Sequence, residues 1–286
     1  MKFIKLVRYD LRHGLLKRWK WYVGAALMAV AFWLLFCTKV ASYNRGTVIT
    51  GDGSAITPSF GDTVFFVFAG MSEYVPDPHQ SFSFPLIWML LYLVLFWMTL
   101  EYAHNDLTKT GQQFLIRTNG RMLWWFSKCV WNFCAVLSFF AVIWLTLLLL
   151  CLLSGSPVSL TLHAPLLEFT VPAAVSGPGY VAPLLFSVFC LAPLVLFALS
   201  MLQMAFTLWL KPIVSFLISV VILVASAYKL SPLLLGNYAM PVRNVIYNGT
   251  GVTNAAGVLF SAAVIAAAVL FGAVRFRKYD VLPIEE

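Results

Sequence analysis

Six long apolar stretches dominate the chain, with most of its charged residues clustered between and before them: residues 21–40, 84–104, 122–153, 181–210, 213–230 and 255–275. A bilayer core about 30 Å thick is crossed by roughly 20 apolar residues at 1.5 Å rise each. The pattern therefore predicts an all-α membrane protein with six transmembrane helices, the third interrupted near its start by Lys128. The run Val64–Met71 is too short to cross. Bracketed by Asp62 and Glu73, it reads as a segment lying on or dipping into the outer surface.

Residues 1–20 form a second kind of pattern. At 100° per residue Phe3, Ile4, Val7, Leu11 and Leu15 share one face, and Lys2, Lys5, Arg12, Lys17 and Lys20 the other. Such a helix suits the headgroup layer, where anionic lipid attracts its basic face. Trp19, Trp21 and Tyr22 mark the bend into the first span, as interfacial aromatics do. A signal peptide is the competing account. The charged lead is long for one and the apolar stretch is of full spanning length, so the first span is expected to be retained. The segments 41–83 and 154–180 are read as outer loops; neither is large enough to be a domain, so the chain is one membrane domain.

Charge fixes the expected orientation. Hydrophobic residues make up 61% of the 286 residues and the formal charge is +8, a composition that excludes an ordinary soluble domain. With the N-terminus inside, the inner segments hold 15 Lys and Arg against four outside (Lys39, Arg45, Lys229 and Arg243) and six acids, Asp10 and Asp106 among them, against five outside, giving net charges of +9 and −1. Lys and Arg retained on the cytoplasmic side explain the excess, so basicity here argues topology and against a nucleic-acid partner. Both termini are expected in the cytoplasm. The five cysteines lie in or beside apolar spans and imply no disulfide framework.

The inner segment between the second and third spans carries the most pattern. Asp106 is placed as an N-cap and Asn119-Gly120 as a stop, with Leu107, Phe114, Leu115 and Ile116 as apolar contacts of a short helix over 106–117. Such a helix either transmits force from a soluble partner or rests on lipid. Ser215, Ser219 and Ser226 in the fifth span, and Ala262, Ala266, Ala268 and Gly272 in the sixth, are small residues suited to close helix packing. Asn132 and Gln203 are intramembrane polar groups whose burial requires partners. Pro193 is expected to kink the fourth span.

Enzyme chemistry finds little footing. Glu101-x-x-His104 is half of a bridging carboxylate metal motif, but the second pair and further carboxylates are missing. No G-x-x-x-x-G-K-[ST] phosphate loop, Gly-x-Ser-x-Gly elbow or His-Glu-x-x-His pair occurs. The spans carry almost no ionisable groups to line an ion path. A membrane-embedded enzyme and a channel stand as the alternatives to transport of an apolar or amphipathic cargo.

The order of parts also resembles a known family, on the basic helix ending in Trp19-Lys20-Trp21, Phe60-Gly61-Asp62 and Phe84-Pro85-Leu86-Ile87-Trp88. It extends through Asp106-Leu107, Gly111-Gln112-Gln113, Leu115-Ile116-Arg117, Arg121 and Trp124-Trp125-Phe126-Ser127-Lys128. Gly236-Asn237-Tyr238 with Met240, and Arg277-Lys278-Tyr279-Asp280-Val281-Leu282, complete it. These patterns look like the permease subunit of ATP-binding-cassette exporters of the type-2 (type V) superfamily, similar to small Gram-positive permeases that export toxin, modulin or lantibiotic-like amphipathic peptides. The resemblance implies an elbow helix at 1–20, a coupling helix at 106–117 and a bacterial plasma-membrane location. It assigns contact with a separate cytoplasmic ATPase to Glu101, Asp106, Leu107, Thr108, Lys109, Gly111, Gln112, Gln113, Phe114, Leu115, Ile116 and Arg117. ATP and magnesium would bind in that partner, with no cofactor or metal in this chain and no catalytic residue. A second permease copy would complete a homodimer, with the pathway bordered by the second and fifth spans. Trp88, Ser215, Ser219 and Ser226 are the candidates for that contact.

Overall fold

The computed structural model describes residues 2–50, 55–74, 82, 84–108, 120–170, 181–247 and 249–277. Among these the chain is helical, with no β-strand beyond an isolated bridge between Asn244 and Val252. The helices are α1 (Lys2–Gly14), α2 (Trp19–Thr50), α3 (Phe60–Phe68), α4 (Leu86–Thr108), α5 (Arg121–Leu153), α6 (Ala164–Thr170), α7 (Val181–Phe186), α8 (Ala192–Phe206), α9 (Pro212–Tyr228) and α10 (Asn254–Arg277). Four helical runs are long and apolar enough to cross a membrane: Phe3–Ile49, Arg121–Leu153, Ala182–Phe206 and Asn254–Arg277. Leu86–Leu100 and Pro212–Tyr228 are shorter apolar helices. This is the architecture of a multi-pass membrane protein.

The expected short outer segment is an inserted helix. All nine residues of α3 are buried, and it packs against α2, α4, α5 and α6. A capping box starts it: the Ser59 hydroxyl accepts from the Asp62 backbone N–H, and the Asp62 carboxylate accepts from the Ser59 backbone N–H. At its end Gly70, with φ +76°, turns the chain in the left-handed region that glycine tolerates. A Cβ there would also lie 2.5 Å from Met240. Asp62, read from sequence as a boundary charge, is instead a buried acceptor that also takes the His163 backbone N–H at 2.8 Å and its Nδ1–H at 2.6 Å.

The fourth apolar stretch is continuous but irregular. Between α7 and α8, Ser187–Leu191 form a π-helical turn, in which Ala192 N–H bonds back to Ser187 O. Pro193 follows directly, at the start of α8. Its ring and missing N–H are incompatible with a regular α-ladder, and a π-turn is one way to absorb the mismatch. The widened turn is tied to neighbours by polar side chains: Ser187 donates to Asn254 at 2.8 Å, and Asn244 donates to Asn254 at 2.6 Å.

Helix α10 lies along α8 in the most extensive helix pair among the described residues. Its buried small residues are Gly257, Ser261, Ala268, Gly272 and Ala273, whereas Ala262 and Ala266, expected to pack, are exposed. Bulky neighbours decide the register: a Cβ on Gly272 would fall 2.0 Å from the Trp125 ring, and one on Gly257 2.8 Å from Tyr238. Asn132 and Gln203 have the interhelical partners expected of them, Ser200 Oγ donating to Asn132 at 2.9 Å and Gln203 Nε2 donating to Phe96 O at 2.9 Å.

Candidate functional site

Helices α1, α4 and α5 meet around three buried charges. Asp10 of α1 and Lys128 of α5 are both 0% exposed, and Asp106 of α4 is 9% exposed. The Lys128 ammonium lies 2.5 Å from Asp10 Oδ1 and 2.7 Å from Asp106 Oδ2. Each helix presents its members one turn apart, which places them on one face. Leu6, Asp10 and Gly14 come from α1; Tyr102 and Asp106 from α4; Trp124, Ser127, Lys128 and Trp131 from α5.

The cluster's remaining hydrogen-bonding capacity is well used. Asp10 also accepts from Tyr102 Oη at 2.9 Å and Ser127 Oγ at 2.5 Å, and Asp106 accepts from Trp124 Nε1 at 3.0 Å. The third side of the ammonium is covered by the Tyr102 and Trp124 rings, at 4.7 and 5.1 Å from their centroids, a favourable arrangement for a desolvated cation. Arg18 lies over the Tyr102 ring at 5.6 Å and adds positive charge nearby. Gly14 allows the approach: a Cβ there would fall 2.1 Å from Trp131 Nε1. With two carboxylates sharing one ammonium inside packed helices, the cluster offers neither a free nucleophile nor an open ligand position. Its chemistry is mechanical, locking three helix ends in one arrangement. Removing one member of a buried ion pair costs about 3–5 kcal/mol, even where the pair as a whole is no more stabilising than apolar packing.

Two sequence expectations change here. Asp106 does not cap a short helix; it sits in the last turn of α4, because its carboxylate is taken up by Lys128 and Trp124. Helix α1 buries a different stripe from the expected apolar face: Leu6, Asp10 and Gly14 are buried against α5, while Phe3, Ile4, Val7, Leu11 and Leu15 are at least partly exposed. Glu101, Leu107 and Thr108 belong to the last turns of α4, their side chains lying outside the described residues. Lys109, Gly111, Gln112, Gln113, Phe114, Leu115, Ile116 and Arg117 also lie outside them, so of the helix expected over 106–117 only residues 106–108 are described.

The dimer or pathway candidates are buried within this chain. Trp88 donates from Nε1 to Ala239 O at 3.1 Å, alongside Tyr92 Oη at 3.2 Å. Ser226 lies against Gly236, and Ser215 and Ser219 are at most 3% exposed. The structure thus gathers Trp88 and Ser226 around the turn Leu235–Ala239 and leaves Ser215 and Ser219 further along α9.

A second polar hub at the opposite end of the bundle escaped sequence reading. Arg243, counted there as one of four outer cations, is 0% exposed. Its guanidinium donates to the carbonyls of Met71 at 2.9 Å, Ser72 at 3.1 Å and Ala227 at 2.6 Å, and to Ser226 O and Asn237 Oδ1. Ser226 and Ala227 are in the last turn of α9, where unpaired carbonyls and the helix dipole favour a cation. Burial pushes the guanidinium pKa down to about 10, against the opposing pull of Glu73, so it stays charged at neutral pH. The only sequence signal was Asn237 six residues upstream, which carries no specificity.

A family model matches residues 56–282, most of the chain and all of the helices from α3 to α10. The chain belongs to DUF2705, a family described as a protein of unknown function. Asp106, Lys128 and Arg243 fall inside the DUF2705 match and Asp10 before it. No curated protein and no solved structure matches the chain.

Proposed function

We propose that this DUF2705 chain is the permease subunit of an ATP-driven exporter, moving an amphipathic peptide out of the cell by alternating access while a separate ATPase closes. The reading takes the basic end of the bundle, with α1, Arg121 and Arg275, as cytoplasmic. The six apolar stretches then act as spans, with α4 and α9 as the shorter two. Helix α5, at 33 residues about 50 Å long, exceeds a 30 Å core, and the ionic cluster occupies its first turns, at the cytoplasmic boundary.

The observation that carries the proposal is the anchoring of Asp106. It stands three residues before Lys109, and Lys128 connects it to Asp10. A push on the segment 109–117 is therefore delivered to α1, α4 and α5 together rather than absorbed by one helix end. The chain contains no phosphate loop of its own, which is consistent with a partner that hydrolyses ATP. The apolar lining expected of the pathway suits an amphipathic peptide, and two permease copies with two ATPases would assemble. A cassette ATPase is expected to be encoded beside this gene, and the test is co-purification with it. Replacing 109–117 by a Gly/Ser linker of equal length is expected to abolish the complex, and undiminished binding would overturn the coupling role.

A further inference from the structure

A groove of about 580 Å³ opens between the N-terminal segment and α5. Because α1 seats on α5 through the narrow stripe Leu6, Asp10 and Gly14, the residues 80–180° further round the helix are left facing outward. Arg8 and Arg12, one turn apart and both exposed, stand on one wall of the groove. Leu11 and Leu15 of the same segment, with Cys134 and Ser138 of α5, supply its less polar surface. No Asp or Glu lines it. The groove is thus cationic on one side and mostly apolar on the other, a division that matches the two halves of a charged lipid. Its neighbours place it near the aromatic residues expected at the membrane boundary, since Leu16, 74% exposed, lines it and Trp19, 59% exposed, starts the next helix.

We propose that this groove binds one anionic phospholipid, its phosphate held by Arg8 and Arg12 and an acyl chain lying between Leu15 and Ser138. Guanidinium groups suit the phosphate because their paired N–H donors match its oxygens. The lipid fills the wedge that the narrow α1–α5 contact leaves open, and so supports the helix that carries Asp10. The site stands independently of the exporter reading.

The test is native mass spectrometry of the full chain in detergent, titrated with phosphatidylglycerol, phosphatidylcholine or inorganic phosphate. Wild type is expected to retain one phosphatidylglycerol in preference to phosphatidylcholine, and excess inorganic phosphate is expected not to displace it. Each basic group near an anionic lipid contributes about fivefold in affinity, so Arg8→Gln with Arg12→Gln is expected to weaken retention roughly 25-fold. Lys17→Gln with Lys20→Gln removes the same charge away from the groove and is expected to change retention less than threefold. Ser138→Phe, obstructing the apolar side with both arginines intact, is expected to lose the lipid while thermal unfolding stays within 3 °C of wild type. Equal retention of the two lipids, or equal losses in the two double variants, would overturn the proposal. Displacement by phosphate would mark an anion site without a lipid and would overturn it as well.

Discussion

Replacing Lys128 by Met tests the ionic cluster at its most sensitive point. The substitution keeps most of the side-chain volume and removes the only ammonium that two buried carboxylates share. With N–O distances of 2.5 and 2.7 Å, the bridging oxygens of Asp10 and Asp106 are no more than about 5 Å apart. Two like charges at that separation repel by about 3 kcal/mol at an effective dielectric of about 20. The general cost of orphaning a buried charge, about 3–5 kcal/mol, agrees. For a chain of this length roughly 2 °C accompanies each kcal/mol, so thermal unfolding in detergent, followed by tryptophan fluorescence, should fall by about 6–10 °C. The triple variant Asp10→Asn, Lys128→Met, Asp106→Asn removes every charge and should recover most of that loss, because buried ion networks exchanged for neutral groups are often close to neutral. If Lys128→Met unfolds within 2 °C of wild type, or the triple variant is worse than the single, the three groups are not an interdependent buried cluster.

Gly272→Ala should cost about 1–3 kcal/mol, since the new methyl meets the fully buried Trp125 ring, itself held by a 3.0 Å bond to Val269 O; Ala266→Leu, on the exposed face and close to Ala in helix propensity, should change melting by less than half as much. Arg243→Lys keeps the charge but not the fork and should lose about 2–4 kcal/mol in the same unfolding assay. Tyr247 tests alkaline behaviour: burial first, then Glu168, raises its phenol to about 12 from 10. The unfolded phenol ionises above pH 10 while the folded one stays protonated to about 12. Folding stability therefore falls across that window by up to about 2–3 kcal/mol. Tyr247→Phe should leave neutral-pH stability unchanged or slightly higher, its hydroxyl having no hydrogen-bond partner among the described residues, and its advantage over wild type should grow from pH 10 to 12.

The apolar blocks were legible because lipid-spanning length and composition are local properties: Met122–Leu153 and Ala255–Val274 match α5 and α10 within a few residues. Partners were legible where a polar residue stands alone in an apolar helix, as with Asn132 and Gln203. What escaped depended on sequence-distant geometry. Asp10 looked like one more charge on a surface helix until Lys128, 118 residues later, was seen to meet it. Asp106 fits the sequence pattern of an N-cap, but a tertiary ion pair outcompetes that local role. Arg243 counted as a topology charge because nothing nearby in sequence foretells its six carbonyl and amide acceptors, Lys229 O among them. Of the small-residue stripe expected in α10, Ala268 and Gly272 are buried as placed whereas Ala262 and Ala266 are exposed, since alanines populate every face and Trp125 and Tyr238 select the glycine-bearing one.

ATP hydrolysis measures the central claim most directly. A cassette ATPase is expected to be encoded beside this gene; once purified, that ATPase should turn over slowly by itself, faster with this chain in nanodiscs, and faster still when an amphipathic peptide is added. Replacing 109–117 by a Gly/Ser linker should return the rate to that of the ATPase alone. A rate indifferent to this chain, with or without any peptide, would contradict the account.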